Sequence, residues 1–429
     1  MAGDVELRPK SGLGEGLLAI YFIGLAVLMH CFQDETVELG KTMTVKHLVA
    51  LIIIFSGFVC FLIKPDISGG IAAAKGSLVI GVTLLATTLA SFVGWLVNRT
   101  DSAIIKRGIS YNFWYMNGLS AALAAAVFLY LFGKEKGFAF YLTGIIIANG
   151  ILLAGVIAEN GAAVFFGQLW VLIKTFAGET SLLMMHAEFH EMAFCLGAFI
   201  TYMLVFPRKK WWFWLLFSLA TALFIVSFKR IAIIAVVLSV LAGWFLRLAG
   251  RRKEGMVGSI VNVAMVLLMA VLVLYILLIK ENIFEVLEEL GIGTSGRNAI
   301  YETVEQYYSF SPKFAGHGMG FVLYTLNNMK YSTVSALHND FLHNYIELGF
   351  LGYIVWLAAL IPLRVKYFGR TGTRAEICAF CVIMYFVISS TTDNTMIYQN
   401  VLSSVALITM LESFEDRVAA ERKKYFGDS

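Results

Sequence analysis

The chain has 429 residues, 59% of them hydrophobic and only 14% charged, with a formal net charge of +4 and a mean hydropathy of +0.78. About a quarter of the residues of a soluble globular chain are charged, so this composition excludes that class, and the absence of a basic stripe excludes nucleic acid as a partner. Repeated apolar runs near twenty residues long predict an all-α, polytopic integral membrane protein. Cys31, Cys60, Cys195, Cys378 and Cys381 lie in or beside apolar runs and read as buried thiols rather than a disulfide or zinc scaffold. The first apolar run lacks a small-residue cleavage motif and more spans follow, so no cleavable signal peptide is expected.

In chain order the apolar runs predict twelve spans, at about 14–32, 47–63, 74–97, 110–132, 138–157, 187–206, 211–228, 231–249, 256–279, 341–363, 375–391 and 395–412. Between the fifth and sixth, residues 158–186 hold a short apolar run interrupted by Gln168 and Lys174, read as re-entrant or interfacial. A further span there would invert everything downstream. With both termini inside, the connections counted as cytoplasmic carry most of the 33 Lys and Arg, including Arg208-Lys209-Lys210 and Arg251-Arg252-Lys253, as the positive-inside bias requires. Four regions follow: N-terminal spans with the interfacial segment (1–186), central spans (187–279), one large extracytoplasmic loop (280–340), and C-terminal spans with a cytoplasmic tail (341–429).

The exceptions to the charge bias are informative. Lys229-Arg230 sits at the outer midpoint of a forty-residue apolar hairpin, without the Gly or Pro of a conventional turn. Arg99, Lys106 and Arg107 form a second outward cluster. Outward positive charge runs against the bias unless an anion compensates it. An anion site is the favoured reading for Arg230, whereas acidic partners elsewhere in the protein explain the Arg99 cluster equally well.

The large loop opens with Glu281, Glu285, Glu288 and Glu289, a solvated helix face. Gly291-Ile292-Gly293-Thr294 breaks that helix, and Ser295 is placed to cap a new one starting near Gly296-Arg297. Ile300, Tyr301, Val304, Tyr307 and Tyr308 then recur at helical spacing, an aromatic stripe suited to an interface. Arg297 falls in the first turn, where free N–H groups also favour an anion. Gly316-His317-Gly318-Met319-Gly320 reads as a flexible bend, lacking the strand and helix of a nucleotide fingerprint.

The densest polar run, His338 to Gly349, meets the apolar segment from Phe350. In a helix, Asp340, His343, Asn344 and Glu347 fall at i, i+3, i+4 and i+7, along one face. A polar collar at a helix entrance accounts for part of this. Two histidines, two asparagines and two acids within ten residues are heavy for a collar, and such groups at a membrane boundary face protein, water or a substrate. His186 and His190 have a spacing that suits a shared metal, yet no third ligand or complete HExxH motif accompanies them, so no metal and no cofactor is expected. Asp393 and Asn394 lie in a short outer turn that turn chemistry explains. The remaining constellation is His338 with Arg230 and Arg297. Arginines bind phosphate oxygens bidentately and stay charged, and a histidine is suited to take a proton from an attacking hydroxyl. Together they suit transfer chemistry on a lipid-linked diphosphate.

Ser227-Phe228-Lys229-Arg230, Ser295-Gly296-Arg297, Gly316-His317-Gly318-Met319-Gly320, His338-Asn339-Asp340-Phe341-Leu342 and Glu347-Leu348-Gly349-Phe350-Leu351-Gly352 stand in this order along residues 187–363. In order and spacing they resemble the O-antigen polymerase and O-antigen ligase superfamily of bacterial surface-glycan enzymes. That resemblance implies a GT-C-like glycosyltransferase of the bacterial cell membrane, inverting and metal-independent, with its site on the extracytoplasmic face. The donor would be a glycan on undecaprenyl diphosphate and the acceptor a second glycan, in a membrane-lipid setting and with a chain-length regulator as a further partner. His338 would be the general base. Arg230 and Arg297, with Lys229, would hold the diphosphate, and Asn339, Asp340, His343 and Tyr301 would orient the base or the sugar. His343 departs from the pattern. Polymerase is preferred over a ligase that transfers glycan to lipid A-core or another acceptor. The reading from a different class is a lipid-linked glycan flippase or secondary transporter, against which stand the lack of an internal repeat and the crowding of polar residues at the outer face.

Overall fold

The computed structural model describes residues 13–32, 36–38, 42–175, 187–253, 255–289, 297–328 and 337–426. One short antiparallel hairpin, β1 (Thr36–Glu38) with β2 (Thr42–Thr44), precedes the second helix, and the remaining elements are helical. They are α1 (Leu13–Cys31), α2 (Val45–Ile63), α3 (Ile67–Val97), α4 (Ser102–Asn160), α5 (Ala162–Thr175), α6 (Ala187–Val205), α7 (Trp211–Ser227), α8 (Arg230–Arg252) and α9 (Met256–Lys280). The short helices α10 (Ile283–Glu289), α11 (Arg297–Glu305) and α12 (Phe321–Asn328) cross the large loop. Then come α13 (Asp340–Ala358), α14 (Arg364–Gly369), α15 (Thr373–Ser390), α16 (Gln399–Leu411) and α17 (Phe414–Phe426).

Among the described residues, eight helices are long and apolar enough to cross a membrane, and four shorter apolar helices, Ala162–Lys174, Glu191–Val205, Trp211–Ser227 and Gln399–Leu411, stand beside them. The chain is therefore a polytopic membrane protein. Two of the predicted spans share α4. Its path breaks at Gly133, whose φ of 70° and ψ of −178° are accessible in practice to glycine alone, and the backbone of Gly137 returns against that of Phe128. The segment expected to be re-entrant or interfacial is α5. Its 14 residues extend about 21 Å, short of a bilayer's ~30 Å hydrocarbon core; residues 176–186 lie outside the described residues.

One hydrophobic core runs from Ala19 to Phe414 and draws on both halves of the chain. Leu51, Phe55 and Leu62 of α2, Leu85, Leu89 and Leu96 of α3, and Val266, Leu267 and Val271 of α9 point outward, an apolar girdle that hydrocarbon covers without cost. The polar groups collect at the two ends. At one end Glu412 takes Lys134, Arg374 (2.7 Å) and the Tyr202 hydroxyl (2.6 Å), Glu135 takes Arg208 (2.8 Å) and Lys210, and Lys75 meets Glu421 (2.6 Å). At the other end lie the α7–α8 turn, the large loop and the α15–α16 turn. The 23 residues of α8 separate the two ends by about 35 Å.

Candidate functional site

Phe228 closes α7 in the left-handed region, with φ 39°, so the chain reverses without Gly or Pro. Lys229 is left at the N-cap of α8 and Arg230 in its first turn. The Lys229 ammonium lies 2.8 Å from Asp393 Oδ2 and 5.2 Å above the Phe194 ring. Asp393 belongs to the turn between α15 and α16. Its Oδ1 accepts the Asn394 N–H (2.9 Å), as turn chemistry predicts, and also faces His338 Nδ1 at 3.8 Å. The carboxyl is 4% exposed. Burial alone would raise its pKa, but Lys229 and His338 outweigh burial and hold it well below the usual carboxylate range.

His338 stands just before α13 with φ 51° and keeps 45% of its side chain exposed, so one ring edge meets Asp393 while the imidazole stays reachable. Helix α13 thus begins two residues after His338. Asn339 is its N-cap: Oδ1 accepts from the N–H groups of Phe341 (3.1 Å) and Leu342 (3.0 Å), satisfying donors that a helix start leaves free. Asn339 Nδ2 donates to the hydroxyls of Tyr275 (3.0 Å) and Tyr301 (3.3 Å). Tyr275 in turn donates to Thr391 O (2.7 Å), and Arg297 Nη2 to Thr392 O (2.8 Å). The turn at 391–393 is thereby held by α9, α11 and the α7–α8 connection at once. Burial pushes the Tyr301 phenol up to about 12, so it remains a neutral hydrogen-bonding group. Tyr301 and Val304 are buried. The aromatic stripe expected at an interface therefore packs inward at these positions, with Phe284 edge-on to Tyr301 at 4.8 Å.

The polar face of α13 is turned into protein. Asp340 Oδ2 accepts the Met396 N–H (2.9 Å), His343 Nε2 lies 3.3 Å from Glu347 Oε2, and Glu347 Oε1 accepts the Val322 N–H (3.1 Å). Asp340 and His343 are brought beside the site without opening onto the exposed edge of His338: Asp340 is 4% exposed and His343 8%. Nor is the glycine-rich run a free bend. Gly349 breaks α13 with φ 71° and ψ 178°, which frees the carbonyls of Ile346 and Glu347 from their helical partners. These accept from the N–H groups of His317 (3.1 Å) and Gly318 (2.8 Å), while Phe350 N–H donates to Phe314 O (2.9 Å). Residues 314–318 are a strap laced to the break. Its His317 ring stacks on Phe321 at 4.0 Å, and burial lowers its pKa.

The structure therefore brings together His338, Lys229, Asn339, Tyr301 and Arg297 around one turn. Arg230 adjoins this group, half-buried at the head of α8. Arg99, Lys106 and Arg107 are exposed. Ser295, Gly296 and His186 lie outside the described residues, as does the His190 side chain, and no cluster suited to a metal occurs among the described residues. Asp393 is the member that sequence reasoning missed. Its one available signal was an acid placed opposite an outward Lys-Arg pair.

Residues 215–357, from α7 into α13, match the model of the family described as O-antigen ligase. Over this third of the chain the sequence is similar to that family. The match contains Lys229, Arg230, Arg297, His338 and Asn339, and Asp393 falls beyond it. No curated protein matches the chain. With its apolar helices, this likeness points to the O-antigen ligase and polymerase superfamily of membrane glycosyl-transferring enzymes.

Proposed function

We propose that this protein polymerises undecaprenyl-diphosphate-linked oligosaccharide repeats on the extracytoplasmic side of the bacterial cell membrane, with both termini in the cytoplasm. The observation that carries the reading is the convergence of His338, Lys229 and Arg297 on the 391–393 turn. The cationic, ion-paired end of the bundle around Glu412 and Glu135 supports the orientation.

In this reading His338 takes the proton of the acceptor hydroxyl as that oxygen attacks the anomeric carbon of the donor sugar. The new C–O bond forms as the bond from that carbon to the diphosphate breaks on the opposite face, so the configuration inverts. Arg230 and Arg297 hold the departing diphosphate, whose charge grows as the bond breaks. The proton then leaves the imidazolium for water. Lys229, spent on Asp393, serves as a positioning residue: it fixes the carboxylate that faces Nδ1 of His338, stabilising the imidazolium and aiming the other nitrogen outward. Asn339 anchors the base from behind, through two tyrosines.

A ligase reading has one observation of its own, the description of the matching family. Purified protein in nanodiscs, given a fluorescent lipid-diphosphate repeat, should yield a ladder of longer lipid-linked products. Transfer only to a separate acceptor such as lipid A-core would establish the ligase instead. His338→Ala should lose turnover, and retained turnover would reject the assigned base. Transbilayer movement of the lipid with no glycan product would replace both readings by a flippase.

A further inference from the structure

Helices α2 and α3 are joined by only Lys64-Pro65-Asp66, yet each packs chiefly on α4 rather than on its partner. The space left between them is a cleft of about 340 Å³, within the size range of ligand sites. Gly57, Gly70, Ala73, Ala74 and Ala126 hollow it out. Phe61 lies against Gly70 and 6.3 Å from the Tyr130 ring. Phe58 and Ile67, more than 45% exposed, stand among its lining residues on the outward girdle. The cleft sits in the half of the bundle near the Glu412 end, away from the His338 site.

We infer that this cleft binds one acyl chain of a membrane phospholipid, with the lipid phosphate at Lys64. A wall so nearly devoid of hydrogen-bonding groups offers water no partners, while the girdle opens it to hydrocarbon, and an unfilled groove would forfeit dispersion contacts along its lining. Charge argues for the headgroup. Lys64 is exposed at the C-cap of α2, whereas neighbouring Lys75 is engaged by Glu421 at 2.6 Å. Asp66 has its Oδ1 on the Gly69 N–H (3.1 Å) and its own N–H on the Tyr130 hydroxyl (3.4 Å). Since α2 and α3 barely touch, the bound chain would act as the wedge that sets their separation.

The test is native mass spectrometry of the full chain in detergent with phosphatidylglycerol, phosphatidylethanolamine or undecaprenyl phosphate. One phospholipid should be retained, phosphatidylglycerol over phosphatidylethanolamine. Ala74→Phe, on the exposed side of the cleft, should remove the adduct. Lys64→Gln should keep the adduct but abolish the preference. A cooperative melt of Ala74→Phe near the parent's midpoint, left unshifted by phosphatidylglycerol that raises the parent's, shows that the variant is folded but unoccupied. Equal retention by the parent and Ala74→Phe would overturn the site. An unchanged preference in Lys64→Gln would overturn the headgroup assignment, and retention of undecaprenyl phosphate alone would overturn the phospholipid.

Discussion

Replacing Asp393 by Asn keeps the shape of the turn and removes the charge on which Lys229 and His338 converge. At 2.8 Å the Lys229–Asp393 attraction is about 6 kcal/mol at an effective dielectric of 20. Both side chains are largely buried, 16% and 4% exposed, so most of that attraction offsets their desolvation. Breaking such a pair from one side costs about 3–5 kcal/mol, because the other charge is left buried and alone. The His338 contact adds less: at 3.8 Å with the imidazole 45% exposed, solvent screening leaves about 1 kcal/mol. Asp393→Asn should therefore lower the thermal midpoint in detergent sharply, and Lys229→Met/Asp393→Asn should recover much of it by removing both charges. The folded-state pKa of Asp393 is depressed. Its stabilisation is thus complete above the unfolded carboxylate value near 3.9 and lost only as pH falls through the lower folded value. The gap between parent and Asp393→Asn should persist from pH 8 to pH 5, because Lys229 and the carboxylate stay charged throughout. A single variant as stable as the parent, a double variant no better than the single, or a gap that closes by pH 5 would refute the reasoning.

Three further outcomes are expected. Asn339→Ala loses both the α13 cap and the donors to Tyr275 and Tyr301, about 2 kcal/mol in all; Asn339→Asp should restore the cap's share, equal denaturation profiles for the two variants would count against the cap, and an Asn339→Asp profile matching the parent would count against the tyrosine contacts. Arg297→Lys keeps charge but not the fork that reaches both Thr392 O and an anion, so donor KM should rise about tenfold, a factor worth about 1.4 kcal/mol; donor titrations matching the parent would remove Arg297 from the diphosphate site. Gly349→Ala forces a side chain into a glycine-only conformation and against the Ala315–Gly316 backbone, at about 3 kcal/mol. Limited proteolysis should then cut within 314–320, and an uncut strap would show that the break does not hold it.

The membrane class, the short α5 and the helix that carries Arg297 were legible because each depends on local pattern: run length, a broken run, apolar residues recurring at helical spacing. His338 was legible for its chemistry, but its left-handed backbone was not, since nothing adjacent requires it. The i, i+4 spacing of His343 and Glu347 was read correctly as one face. Which way that face turned was not, because that depends on α12 and on the 395–397 turn arriving from elsewhere in the chain. Asp393 was hidden for the same reason: its local turn chemistry is real, with Oδ1 on Asn394 N–H, and so gave no hint that Oδ2 is held by a lysine from the α7–α8 reversal. The glycine-rich run was misread as loose because its lacing depends on a helix break at Gly349, and glycine is common in membrane helices.

The interruption at Gly349 divides α13 into a short rod bearing Asn339 to Leu348 and a separate segment that continues toward Gly369. Because the rod is fastened to the strap by Ile346 and Glu347, its depth is set by the large loop and not by the surrounding hydrocarbon. A thicker or thinner bilayer is met by tilt of the segment beyond the joint. The spacing between imidazole and carboxylate should accordingly survive transfer between lipids of different chain length, and mismatch should register as lost stability before it registers as lost geometry.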